Sequence, residues 1–128
     1  MKIAICLHGL ASGTNDTGVP VSFEESIPLI KENIVSDYDV DFFFHTWSQD
    51  SEDSLKESYE PKSYETEEQL IFEHPFKPDA EKGADFSFSP EIQIKMQSVY
   101  SRWYSFAKSI KIKKDYEKEH NLKYDFVF

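Results

Sequence analysis

Near its start the chain runs Lys2-Ile3-Ala4-Ile5-Cys6-Leu7 and then breaks at His8-Gly9. A run this short and apolar on both faces leaves no side for water, which suits a central parallel strand covered by helices above and below. The residues that follow keep to the same plan. Ser22-Phe23-Glu24-Glu25 has the spacing of a capping box, and Phe23, Ile27, Ile30 and Ile34 recur at helical spacing. Pro28 lies inside that stretch and is expected to bend the helix or make its first turn irregular. After a turn at Asp37-Tyr38-Asp39, Val40 to Trp47 (VDFFFHTW) reads as the second strand. Ser48 to Tyr59 opens with Ser and acids, as a helix start should, and Pro61 stops it.

Ser63 to His74 alternates weakly, so an edge strand is expected near Tyr64–Gln69 or Leu70–Glu73. Pro75 to Ser89 is expected to form a long loop. Ser89-Pro90-Glu91 then supplies a cap, a first-turn proline and a first-turn acid. Ile92, Met96, Val99, Trp103, Phe106, Ala107 and Ile110 follow as one apolar stripe, expected to face the core. Unbroken to His120, that helix would span about 45 Å at 1.5 Å per residue, so a break or overhang is expected near Ile112–Lys114. Asn121 suits a helix cap, and Tyr124 to Phe128 reads as a final strand. With right-handed crossovers, this order predicts an α/β fold with residues 1–128 as one domain. The expected form is a three-layer sandwich, a Rossmann-like and mostly parallel sheet of about four strands with helices on both faces.

Composition limits the partners. A net charge of −10 argues against nucleic acid and against an anionic membrane surface. No apolar stretch approaches the ~20 residues of a membrane span. A single cysteine, Cys6, makes no internal disulfide, which points to a reducing, cytoplasmic setting. Aromatic residues make up 16% of the chain, enough to build a core from a modest apolar fraction.

In parallel sheets, ligands bind outside the carboxyl ends of the strands. The residues placed there are His8, Gly9, Leu10, Ala11 and Ser12 after the first strand, and His45, Thr46 and Trp47 after the second. Gly9, Gly13 and Gly18 do not fit a dinucleotide fingerprint, and Val19 stands where a P-loop needs Lys. The first loop is still small enough for a ligand to approach its backbone. His8-Gly9-Leu10-Ala11-Ser12-Gly13 is like the oxyanion segment of α/β hydrolases, but the G-x-S-x-G elbow that it would serve is missing. His45 and Trp47 either line a base or sugar pocket or, for Trp47, pack under the next helix. His8, His45, His74 and His120 lack metal-ligand spacing, so no metal ligand is assigned. Asp37, Asp39 and Asp41 form D-x-D spacings at the amino edge and read as a solvated turn; Asp125 lies at that edge too. Arg102, the sole arginine, offers a planar fork for a diphosphate or a surface ion pair.

The small-residue first loop, DFFFHTW, the Pro-Lys-Ser-Tyr segment and the stretch QSVYSRWYSFAKSIKIKKDYEKEHNLKYDFVF together resemble the glycosyltransferase-like proteins of the nucleotide-diphospho-sugar transferase fold, in their amino-terminal half. The resemblance implies a nucleotide sugar held by His8 to Ser12 and His45 to Trp47. It also implies a Mn²⁺ or Mg²⁺ ion in a complete family active site, at an arginine and acidic pair following the fourth strand. The sequence stops at Phe128, before such a pair, and no arginine follows Gly9. The expectation is therefore a truncated domain, catalytically incomplete alone, with no cofactor of its own and no catalytic residue assigned. The contrasting expectation is a non-enzymatic interaction module on the same scaffold. An open edge at the last strand predicts a homodimer or a covering partner.

Overall fold

The computed structural model describes residues 1–15, 17–72 and 90–128. The expected loop from Pro75 to Ser89, the cap Ser89, His74 and Asp16 lie outside the described residues. The architecture is α/β. Strands β1 (Lys2–Gly9), β4 (Asp39–Thr46), β5 (Ser63–Thr66) and β6 (Phe126–Val127) form one parallel sheet in the order β5-β4-β1-β6. The chain thus moves outward from β1 to β4 to β5, then returns to the far side of β1.

Alternation along the strands builds two apolar clusters. Ile3, Ile5, Phe42 and Phe44 point to one face, with Leu55 and Tyr59 of α2 (Glu52–Tyr59) and with Phe23, Ile27, Ile30 and Ile34. Ala4, Cys6 and Phe43 point to the other, against Tyr124 and against Ile110, Ile112 and Tyr116 of α3 (Pro90–His120). Burial raises the Cys6 thiol to a pKa of about 11, so it packs as a small apolar residue.

The first crossover shows the effect of Pro28. A 3₁₀ turn capped by Ser22 leads into α1 (Ser26–Ile30), which widens into a π-helical stretch over Lys31–Val35. Pro28 donates no hydrogen bond and crowds the turn before it, so the segment opens as a 3₁₀ turn and not as a regular i→i−4 ladder. α2 ends at Glu60, in the left-handed region at φ 46°, and Pro61 follows.

The structure departs from expectation in five places. The small-polar loop after β1 contains a short antiparallel hairpin, β2 (Ser12–Thr14) with β3 (Pro20–Ser22). β5 is shorter and earlier than expected. α3 is an unbroken 31-residue helix, about 46 Å long, with no break near Ile112–Lys114. Its overhang lies at the opposite end: Ser105 meets the tips of β1 and β4, and the preceding 15 residues extend about 22 Å past the sheet. Gln69, Leu70 and Phe72 run alongside, bonded to Ser101 and Gln97.

The fourth departure is the face that α3 buries. Ser101, Ser105, Ser109 and Lys113, spaced by four, are buried, whereas Trp103 of the apolar stripe is 65% exposed. Serines let the helix lie close to the sheet, and their hydroxyls are satisfied there. Asn121, at φ 50°, ends the helix with Leu122 N bonded to Glu117 O at 3.0 Å. Asp41 is no solvated turn residue either. It is buried in β4, where it accepts from Tyr124 Oη at 2.7 Å and pairs with Lys2 at 3.0 Å. Burial opposes its charge, but Tyr124 and Lys2 together hold its carboxyl below the usual range.

Phe43 is 0% exposed and Phe126 is 52% exposed. Phe43→Ala is therefore expected to cost about 3–5 kcal/mol in urea unfolding, and Phe126→Ala under about 1 kcal/mol.

Candidate functional site

Parallel pairing sets His8 opposite His45 and Gly9 opposite Thr46, so the two predicted segments share one edge. Gly9, at φ 97°, turns the chain off the end of β1, a conformation that side-chain-bearing residues rarely adopt. The turn is locked by its neighbours. Thr46 Oγ1 donates to Gly9 O at 2.7 Å, and Trp47 N donates to the same oxygen at 3.3 Å. Ser48 Oγ accepts from Ala11 N at 3.0 Å and from Ser12 N at 3.1 Å. Ser51 donates to the Ser12 hydroxyl at 2.6 Å, which donates onward to Asp50 at 3.2 Å.

A third element closes the arrangement from the helix side. Ser105 Oγ accepts from Gly9 N at 2.8 Å and lies 2.7 Å from His45 Nδ1. His45 Nε2 lies 3.1 Å from Glu67 Oε1. Burial pushes the His45 pKa below its ordinary value, against the opposite pull of Glu67. A neutral ring facing a carboxylate, which only accepts, carries its proton on Nε2 and takes the Ser105 hydroxyl proton at Nδ1. Burial likewise opposes the charge of Glu67, but Lys108 and His45 hold its pKa below the usual range. Lys108 binds Glu65 at 2.8 Å and Glu67 at 2.9 Å, which raises its own pKa.

The sequence-predicted residues divide by exposure. His45, Thr46 and Trp47 are buried, at 0%, 3% and 7% exposure, and Ala11 is buried as well. In this structure they support the edge from beneath. Trp47 stacks on Tyr104 at 5.5 Å and meets His45 edge-on at 4.8 Å. Its Nε1 is buried and has no hydrogen-bond partner among the described residues. His8 and Leu10 are exposed, and the His8 ring packs edge-on against Phe106 at 5.4 Å. Arg102 is exposed and makes no ion pair among the described residues. It lies close enough to His8 to lower its pKa, after burial and ahead of His45.

Sequence reasoning missed Ser48, Glu67, Ser105 and Lys108. One signal was present for Ser105: small residues at four-residue intervals, Ser101-Ser105-Ser109, mark a helix face built for close approach. Among the described residues no group of three His, Cys, Asp or Glu side chains is placed to hold a metal ion. The acids nearest the edge, Asp50 and Glu67, are engaged by Ser12 and by His45 and Lys108. The metal that the resemblance implies therefore finds no ligand set among these residues. A separate open groove of about 380 Å³ lies along β5, lined by Lys62, Tyr64, Glu65, Asp115, Tyr116 and His120. None of the sequence-predicted site residues lines it.

No family model, curated protein or solved structure matches this chain.

Ser105→Ala strands the Gly9 N–H and His45 Nδ1, so a loss of about 2–4 kcal/mol is expected in urea unfolding. The same measurement should show stability falling as pH drops below about 6.5, the pKa of an unfolded histidine. Below that pH the unfolded chain takes up a proton that the folded His45, with its lowered pKa, declines. His45→Gln should reduce this slope and leave the share that His8, whose pKa is also lowered, contributes.

Proposed function

We propose that this chain is a Rossmann-like, three-layer domain that binds a nucleotide sugar across the carboxyl tips of β1 and β4. The observation that carries the proposal is the register of His8 with His45 at the carboxyl edge of β1 and β4, next to the reversal of strand order between β1 and β6, with Arg102 close to His8. Strand reversal opens a crevice at the carboxyl edge of a parallel sheet. The guanidinium fork of Arg102 matches a diphosphate, and His8, Leu10 and Phe106 offer an exposed wall for a base or sugar. His45, Thr46 and Trp47 hold the first loop in place from below.

The proposal is limited to binding. Asp50 and Glu67, the acids nearest the edge, are held by Ser12 and by His45 and Lys108, so no role in group transfer is assigned to them. A second reading, a non-enzymatic interaction module, is favoured by one observation. The Ala11 and Ser12 amides, which would cradle a phosphate, already donate to Ser48.

Thermal-shift and calorimetric titrations with UDP-, GDP- and CDP-sugars, each with and without Mn²⁺, separate the two readings. At 100 times the Kd, a bound donor should add about 2.7 kcal/mol and raise Tm by several degrees. Arg102→Ala should weaken binding at least about tenfold, the loss expected for a charge-assisted bond. Absence of a shift with all three classes would remove the nucleotide proposal and leave the interaction module.

A further inference from the structure

Helix α3 has two opposed faces. Ser101, Ser105 and Ser109 pack inward, while Met96, Val99, Trp103 and Phe106 recur at alternating spacings of three and four. That spacing is the seam of a helix–helix pair. Ser101 stands two residues from both Val99 and Trp103, about 200° around the helix, so these two point away from the sheet, and Phe106, at the seam's end, reaches His8. Val99 is 52% exposed, Trp103 65% and Phe106 39%.

The charges beside the seam are of one sign. Residues 92–114 contain six Lys and Arg and no Asp or Glu, in a chain of net charge −10. Lys108, Lys111 and Lys113 are answered by Glu65 and Glu67, by Asp115 and by Glu117. Lys95, Arg102 and Lys114 have no acidic partner among the described residues. These three border the seam, Lys95 and Arg102 on one flank and Lys114 on the other. Cations left unpaired along an exposed apolar stripe are complementary to acids at the corresponding positions of a partner.

We propose that the outward face of α3 docks an amphipathic helix of another protein, apolar along one seam and acidic on both flanks. A second copy of this chain fits less well, because it would set a cationic helix against itself. An anionic lipid surface would repel the acidic remainder of the chain, and the seam is narrower than the apolar face of a helix lying in a membrane. Trp103, at the centre, is the anchor.

The test uses the full chain and two labelled three-heptad peptides with Leu at the seam positions, one with Glu and the other with Lys on the flanks. The acidic peptide should bind at least tenfold tighter by fluorescence anisotropy. Tryptophan emission should shift to the blue on binding, a change assignable to Trp103 because Trp47 is already buried. Trp103→Ala should weaken binding at least tenfold with the circular dichroism spectrum unchanged, and Lys95→Glu with Arg102→Glu should reverse the peptide preference. Equal binding of both peptides, binding of neither, or indifference to Trp103→Ala overturns the proposal. So does self-association in sedimentation that itself shifts Trp103 emission, which assigns the face to a second copy. The same shift on phosphatidylserine vesicles overturns it in favour of a membrane.

Discussion

The Ser105 hydroxyl holds together the part of this fold where function is concentrated. Fully buried, it takes the Gly9 amide proton and gives its own to His45, joining α3 to the ends of two adjacent strands. The geometry of the carboxyl edge follows from that contact. With α3 fixed at Ser105, Phe106 comes against His8 and Arg102 stands above the strand tips. Tyr104, one residue before, stacks on Trp47 and reaches Glu67.

A polar junction in a buried place is stabilising only when its members are all satisfied. Here the chain of partners runs Gly9, Ser105, His45, Glu67, Lys108 and Glu65, and it reaches solvent at the last two. Burial holds the His45 ring neutral, which suits a relay of one donor and one acceptor. Trp47 is the exception, its indole N–H having no partner among the described residues of that cluster. At the amino end of the sheet, Asp41 plays a matching part, tying Tyr124 and Lys2 together and so fixing β6 beside β1. Two buried polar knots, one at each end of β4, thus set the position of the long helix between them.

Much of the α/β order was legible because it rests on periodicity. The doubly apolar Ile3–Leu7 run and the Phe42-Phe43-Phe44 sequence admit little besides buried parallel strands, and both are that. The shared edge of His8 and His45 followed from strand direction alone. The burial of α3 did not follow, because an apolar stripe ordinarily marks the core side, whereas here close approach through serines outweighs it. Tertiary packing also overrode the reading of Asp41, whose D-x-D setting looks solvated until Tyr124, 83 residues away, arrives beside it. The β2–β3 hairpin is too short and polar to leave a period-two signal. Ser48 and Glu67 depend on long-range partners that no local pattern announces.

Histidine-selective NMR of the ¹⁵N-labelled chain tests the central junction most directly. The His45 imidazole should titrate below the ordinary histidine range, carrying its proton on Nε2 while neutral, and its resonances should move when Ser105 is replaced by Ala. A His45 ring that titrates near 6.5 like an exposed imidazole, or that carries its proton on Nδ1, would contradict the account.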